Sequence, residues 1–185
     1  MPRYARNDWV KLLLQSLVAV NRLGGDDVLY LSYYDSPVGS LGIVENGAGV
    51  TNIYLTAKKK PKGHFQQHDT PLLQTVIKQL QEYFSGHRKE FDFPMNPSGT
   101  PFQRQVWSAL CTIPYGDTWS YKDVAQKVDH PRAYRAVGGA NNKNPLIIVI
   151  PCHRVIGTDG SLTGYGGGLE VKAWLLEFER NNCSR

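Results

Sequence analysis

Leu146-Ile147-Ile148-Val149-Ile150 runs directly into Pro151-Cys152-His153-Arg154-Val155. A branched apolar run of this length predicts a buried strand. Cys152 then falls where that strand ends, beside an imidazole and a guanidinium. Neighbouring positive charge and a nearby base favour the thiolate, which is the nucleophilic form of cysteine. Cys-His adjacency alone more often marks a structural cysteine next to a surface histidine. The flanking sequence has to decide between the two.

Immediately upstream, Ser120 is positioned to cap a helix running through Val128. His130-Pro131 makes a short turn, and a second helix spans about Arg132 to Asn141. Two short helices joined by a proline-containing turn resemble a helix-turn-helix. From His130 to Arg154 there are four Lys or Arg residues and no Asp or Glu, the bias expected where phosphates are contacted. Ala133, Ala136, Gly138, Gly139 and Ala140 are small enough to let this helix approach a duplex. A helical hairpin with a basic face is the plainer alternative.

Farther out, Thr100-Pro101 opens a helix with Phe102, Val106, Ala109 and Leu110 on one face, and a last helix covers Leu169 to Arg180 after a glycine-rich loop, Gly157 to Gly168. Phe93 to Gly99 holds two prolines and a glycine and reads as a linker. Before it, Leu29–Tyr34, Leu41–Glu45 and Val50–Leu55 read as strands, with Asn46-Gly47 as a hairpin signal. Thr70-Pro71 starts a helix that Gly86 stops. The expected fold is an α/β N-terminal domain (residues 1–92, a small β-sheet with helices), a linker (93–99) and a mostly helical C-terminal domain (100–185) containing the helix-turn-helix.

Composition narrows the setting. A net charge of +5 suits an anionic partner without requiring one. Cys111, Cys152 and Cys183 form neither a disulfide framework nor a CxxC metal spacing, so a reducing, intracellular compartment is expected. Trp9, Leu13, Leu17 and Val20 stand at helical spacing, which predicts an amphipathic surface helix rather than a secretory signal. No run is long enough to span a membrane. His64 and His68 are four apart, as on a metal-binding helix face, but solvated histidines are the expectation and no zinc is predicted.

Residues Thr100 to Glu179 resemble the O6-alkylguanine-DNA alkyltransferases, the DNA-protein-cysteine methyltransferase family. The matching strings are Thr100-Pro101-Phe102-Gln103-Arg104-Gln105-Val106-Trp107, Ser120-Tyr121, Arg135-Ala136-Val137-Gly138-Gly139-Ala140 and Asn144-Pro145. Ile150-Pro151-Cys152-His153-Arg154-Val155, Leu162-Thr163-Gly164-Tyr165 and Trp174-Leu175-Leu176-Glu177-Phe178-Glu179 follow in the family's order. Ser36-Pro37-Val38-Gly39 and Tyr83-Phe84-Ser85-Gly86 match the N-terminal half less specifically.

The resemblance implies a monomeric, cofactor-free, single-turnover transferase. It would take a methyl or larger alkyl group from O6 of guanine, and from O4 of thymine, in double-stranded DNA onto Cys152. His153 would act through a water, with Glu179 orienting the imidazole. Tyr121 would face the guanine N3. The backbone N–H of Gly166 would face O6, where the family often has a hydroxylated residue. Tyr165, Gly166, Ile147 and Val155 would line the pocket, and Asn144 would hold the turn into the active site. Arg135 would fill the place vacated by the flipped base. Tyr121, Lys122, Ala133, Gly138, His130 and Thr158 would contact the duplex. By the same resemblance, relatives with an N-terminal zinc use cysteines that this half lacks. Two other readings stay open: a lesion-binding DNA module without chemistry, and a Cys-His transferase or hydrolase acting on small molecules.

Overall fold

The computed structural model describes residues 28–58 and 62–183. The expected helix over Trp9 to Val20 lies outside them.

Three antiparallel strands form where alternation predicts them. β1 (Leu29–Ser36), β2 (Gly39–Glu45) and β3 (Val50–Leu55) pair in sequence order. The Asn46-Gly47 connection is a four-residue loop between Glu45 and Val50, with a register shift at Val44/Glu45. A fourth strand, β4 (Phe65–Gln67), pairs parallel to β1 and gives the order β3-β2-β1-β4. At three residues, β4 is too short to show a period. His64 and His68 flank this strand, so their four-residue spacing does not lie on a helix face.

Helix α1 (Pro71–Phe84) packs on β1 and β2. Thr70 Oγ1 accepts the Leu73 N–H at 3.2 Å, and Pro71 takes the first helical position, where no N–H is needed. Leu73, Val76, Leu80 and Tyr83 form its buried stripe, and each buried side chain of this kind stabilises by about 1.5–3 kcal/mol. Gly86 ends the helix at φ +79°, and a Cβ there would come within 2.7 Å of Asn182 Oδ1.

Within the expected linker 93–99, residues 94–96 pair with the sheet. Val50 N–H donates to Pro94 O and Asn96 N–H to Val50 O, and Phe93 and Met95 are buried. One continuous apolar core runs from the sheet and α1 into the helical half.

That half contains α2 (Pro101–Leu110), β5 (Trp119–Ser120), α3 (Tyr121–Lys127), α4 (Tyr134–Asn142), a 3-10 turn (Cys152–Arg154), β6 (Val155–Ile156) and α5 (Leu169–Asn182). Thr100 with Gln103, and Ser120 with Asp123, close reciprocal capping boxes on α2 and α3. The buried Trp107 Nε1–H donates to Ala140 O at 2.9 Å, tying α2 to α4. β5 and β6 form a two-residue parallel pair, again too short for a periodic signal.

The expected strand over Leu146–Ile150 is not one. Only Leu146 bridges, to Ile53, and the chain then turns, with Ile150 N–H donating to Leu146 O. Ile148 sits at φ +73°, a region a β-branched residue rarely enters. All five side chains are nevertheless buried. Burial was what the apolar run encoded; beyond the Ile147 N–H, which donates to Ile53 O, the hydrogen-bond partners that make a strand are missing.

Candidate active site

Cys152 opens the 3-10 turn and is 3% exposed. Asn144, just past α4, donates through one Nδ2 to Cys152 Sγ at 2.9 Å and to Ile150 O at 2.8 Å, while its Oδ1 accepts the Leu146 N–H. Asn141, on the last turn of α4, donates to Cys152 O at 3.2 Å. The second helix of the pair and the sulfur are therefore mechanically one piece.

The turn places His153 and Arg154 against Glu179 of α5. His153 Nε2 lies 2.9 Å from Glu179 Oε1. Arg154 Nε and Nη2 donate to Oε2 and Oε1 at 2.8 and 2.9 Å, the bidentate geometry a planar guanidinium suits. Gly116 N–H and the Tyr83 hydroxyl also donate to this fully buried carboxylate. Burial alone would raise the Glu179 pKa, but His153 and Arg154 outweigh it and hold the carboxyl well below the usual range. Burial lowers the His153 pKa against the opposing pull of Glu179, so the imidazole rests neutral. Its Nδ1 has no hydrogen-bond partner among the described residues, which makes it the nitrogen free to accept a proton.

The sequence placed a charge-activated thiolate here, and the structure corrects that. Burial pushes the Cys152 thiol up to about 11, and only the Asn144 amide, Lys172 and a backbone hydrogen bond pull it down. Arg154 gives its guanidinium to Glu179 and Ile113 O instead of to the sulfur. At rest the site holds a protonated thiol, so the thiolate has to be made by proton removal during reaction.

Lys172 was not singled out from sequence. It is fully buried, donates to Val155 O at 2.6 Å and Thr163 O at 2.7 Å, and burial lowers it to about 8. The signal was available: Lys172 and Glu179 share the buried face of α5 with Leu175 and Leu176. Tyr83 shares the buried face of α1 with Leu73, Val76 and Leu80, but nothing in its spacing shows that it reaches Glu179; Asn141 carries no such sequence signal.

Tyr165 is buried with its ring centroid 6.5 Å from that of His153, and its hydroxyl has no partner among the described residues. Gly166 is exposed, and a Cβ there would meet nothing within 4 Å. Ile147 is buried at the turn; Val155 is fully buried and pairs with Trp119. Tyr121 opens α3, donates to Thr163 O at 3.2 Å and lies 3.8 Å from where a Gly138 Cβ would stand.

Arg135 stands exposed on α4 beside Ala136 and Gly139, its guanidinium 5.9 Å from the Tyr134 ring centroid. Lys122, His130 and Thr158 are exposed as well; Ala133 and Gly138 are half-buried. Ala133 is the N-cap of α4, so Arg132 precedes the helix that was expected to begin there. Among the described residues, no group of three or more His, Cys, Asp or Glu could hold a metal ion, and no helix is long and apolar enough to cross a membrane.

A helix-turn-helix carrying a basic, small-residue face, joined through two asparagines to a buried Cys-His-Glu centre, defines a class: a DNA-binding protein with cysteine chemistry. The family models for the 6-O-methylguanine DNA methyltransferase match here, its DNA binding domain over residues 101–181 and its ribonuclease-like domain over 29–97. The chain belongs to the 6-O-methylguanine DNA methyltransferase family. It is similar to the methylated-DNA–protein-cysteine methyltransferase of Methanosarcina barkeri, at 46% identity over 83% of this chain and 99% of the relative. The constitutive enzyme of Bacillus subtilis is 45% identical over 81% of this chain and 96% of its own. The crystal structure of Mycobacterium tuberculosis OGT in complex with DNA superposes with a TM-score of 0.78 at 43% identity, covering 83% of this chain and 94% of that one.

Proposed function

We propose that this protein repairs DNA by moving the alkyl group of O6-alkylguanine onto Cys152, once per molecule. The observation that carries the reading is the Asn144–Cys152 contact at 2.9 Å beside the His153–Glu179 pair at 2.9 Å. A sulfur held by an amide, next to a neutral imidazole anchored on a carboxylate, is the arrangement a nucleophilic cysteine needs. Relatives named for this reaction across most of the chain support it.

The step balances without a cofactor. The thiol proton passes to His153 Nδ1 through a water, and sulfur attacks the alkyl carbon as the carbon–O6 bond breaks. A proton returned to the ring completes guanine, leaving a thioether on Cys152. Tyr121 and the Gly166 N–H serve as donors to the leaving base. The base is stacked in a duplex, so it must be flipped out at a cost on the order of a few kcal/mol. Arg135 takes the vacated place, and Lys122, Ala133, Gly138, His130 and Thr158 seat the backbone. O4-alkylthymine is a second substrate of the same chemistry. Three free cysteines, together with bacterial and archaeal relatives, support an intracellular setting.

The test is incubation with duplex DNA carrying O6-methylguanine, followed by peptide mass spectrometry. One methyl on Cys152, with transfer ending at about one equivalent, is the expected result, because thiol exchange does not reverse a thioether. Tight binding without an adduct would mean a lesion-binding module. Turnover far beyond stoichiometry would also overturn the reading.

A further inference from the structure

One donor to Glu179 comes from outside the catalytic half. Tyr83 lies on the last turn of α1, and its hydroxyl donates to Glu179 Oε1 at 2.7 Å, the same oxygen that meets His153 Nε2 at 2.9 Å. The ring is fully buried and is fixed edge-on against Phe84 and Tyr115, with Phe178 at 5.7 Å. Packed this way, the hydroxyl cannot turn away to water. Burial and the adjacent Glu179 push its pKa well above the ordinary value, so it stays a donor throughout the working range.

We propose that Tyr83 is a positioning residue for alkyl transfer: it holds Oε1 of Glu179 against His153 and shares that oxygen's charge, so the N-terminal half sets how strongly the catalytic imidazole is held neutral. The proposal rests on the reading of His153 as proton acceptor. A hydrogen bond donated to a carboxylate oxygen draws charge from it and weakens its pull on a neighbouring imidazolium. The groups around His153 divide by sign. Arg154 from the 3-10 turn and Lys172 from α5 oppose a positive imidazole, as does burial, and Glu179 favours it. Cys152 on the same turn, Tyr165 from the glycine-rich loop and Tyr115 from the loop before β5 are neutral at rest, since burial raises all three. Tyr83 thus tempers the group that would otherwise protonate the base. Without it, His153 would be harder to keep neutral as the pH falls.

Single-turnover reaction of the full chain with free O6-benzylguanine, which needs no base flipping, tests this at pH 6 and pH 8.5. Tyr83→Phe is expected to lose about two- to fivefold more at pH 6 than at pH 8.5, since about one unit of rise in the midpoint of an imidazole that is neutral at rest is felt only on the acid side. Equal losses at the two pH values would make Tyr83 a packing residue and overturn the proposal, as would no loss at either. If Tyr83→Phe does not fold, 3-fluorotyrosine at position 83 replaces it. This stronger donor should move the acid limb of the rate profile to lower pH, and a limb that does not move overturns the proposal. His153→Gln separates the two readings. Wild-type rates in that variant would sink the role of His153 itself, whereas a slow His153→Gln with no pH split in Tyr83→Phe would sink only the role of Tyr83.

Discussion

Asn144 Nδ2 stands 2.9 Å from Cys152 Sγ and 2.8 Å from Ile150 O. One amide therefore fixes both the sulfur and the chain that delivers it, directly after the helix that carries Arg135. Asn144→Ala removes a donor that stabilises the developing thiolate. Hydrogen bonds to charged groups contribute about 1.5–3 kcal/mol, so the single-turnover rate should fall roughly 10- to 150-fold. Asn144→Asp keeps the acceptor for Leu146 N–H but sets a carboxylate beside the sulfur, and it should be slower still. A rate within twofold of wild type in both variants would show that the contact has no part in the reaction.

Thiol reactivity should follow burial and protonation. Cys152 at about 11 and Cys111 at about 12 are almost wholly protonated at pH 8, with about one Cys152 in a thousand as thiolate. Cys183 is exposed. Iodoacetamide at pH 8 should therefore label Cys183 first, even though O6-benzylguanine should label Cys152. Time-resolved peptide mass spectrometry reads the order, and faster labelling of Cys152 than Cys183 would mean a resting thiolate.

Arg135 is exposed on α4, with its guanidinium 5.9 Å from the Tyr134 ring centroid. Arg135→Ala should slow repair of duplex O6-methylguanine by about tenfold or more while changing reaction with free O6-benzylguanine by less than about twofold, because only the duplex reaction pays for unstacking. Equal losses on the two substrates would reassign Arg135 to a structural role.

Glu179→Gln leaves the buried Arg154 without an anion, a change that typically costs about 3–5 kcal/mol. The pH dependence has a definite sign. The Glu179 pKa is depressed in the folded state, so its contribution is present above the unfolded value of about 4.3 and is lost as pH falls below it toward the folded value. The lowered His153 acts in the same direction from about 6.5 downward, because the unfolded chain binds the proton more readily. The melting temperature of the wild type should therefore decline on acidification in two stages, and Glu179→Gln should start lower and lack the second. A parallel decline in the two proteins below about pH 4.3 would contradict this assignment.

Much of the fold was legible because it is local. Thr70, Thr100 and Ser120 announce three helices through their own caps, and the apolar spacing that follows sets the buried faces. Alternation gave the three longer strands, while β4 and the β5–β6 pair lie below the length at which a period exists. The proposed catalytic pair was legible for a different reason: Cys152 and His153 are neighbours in a specific motif, and the structure brings Asn144 and Glu179 into contact with them.

What the sequence determined by itself is therefore the burial of its apolar runs and where three of its capped helices begin, since each depends on near neighbours. Tertiary structure alone decided the conformation of Leu146–Ile150, where hydrophobicity required burial but the only bridge available was Leu146 to Ile53. It also decided the protonation of the centre. Arg154 is two residues from Cys152 in the chain yet pairs with a carboxylate 25 residues away, and the hydroxyl that shares that carboxylate comes from 96 residues upstream. A charge acts through the distance and dielectric between groups, and neither exists until the two halves have packed.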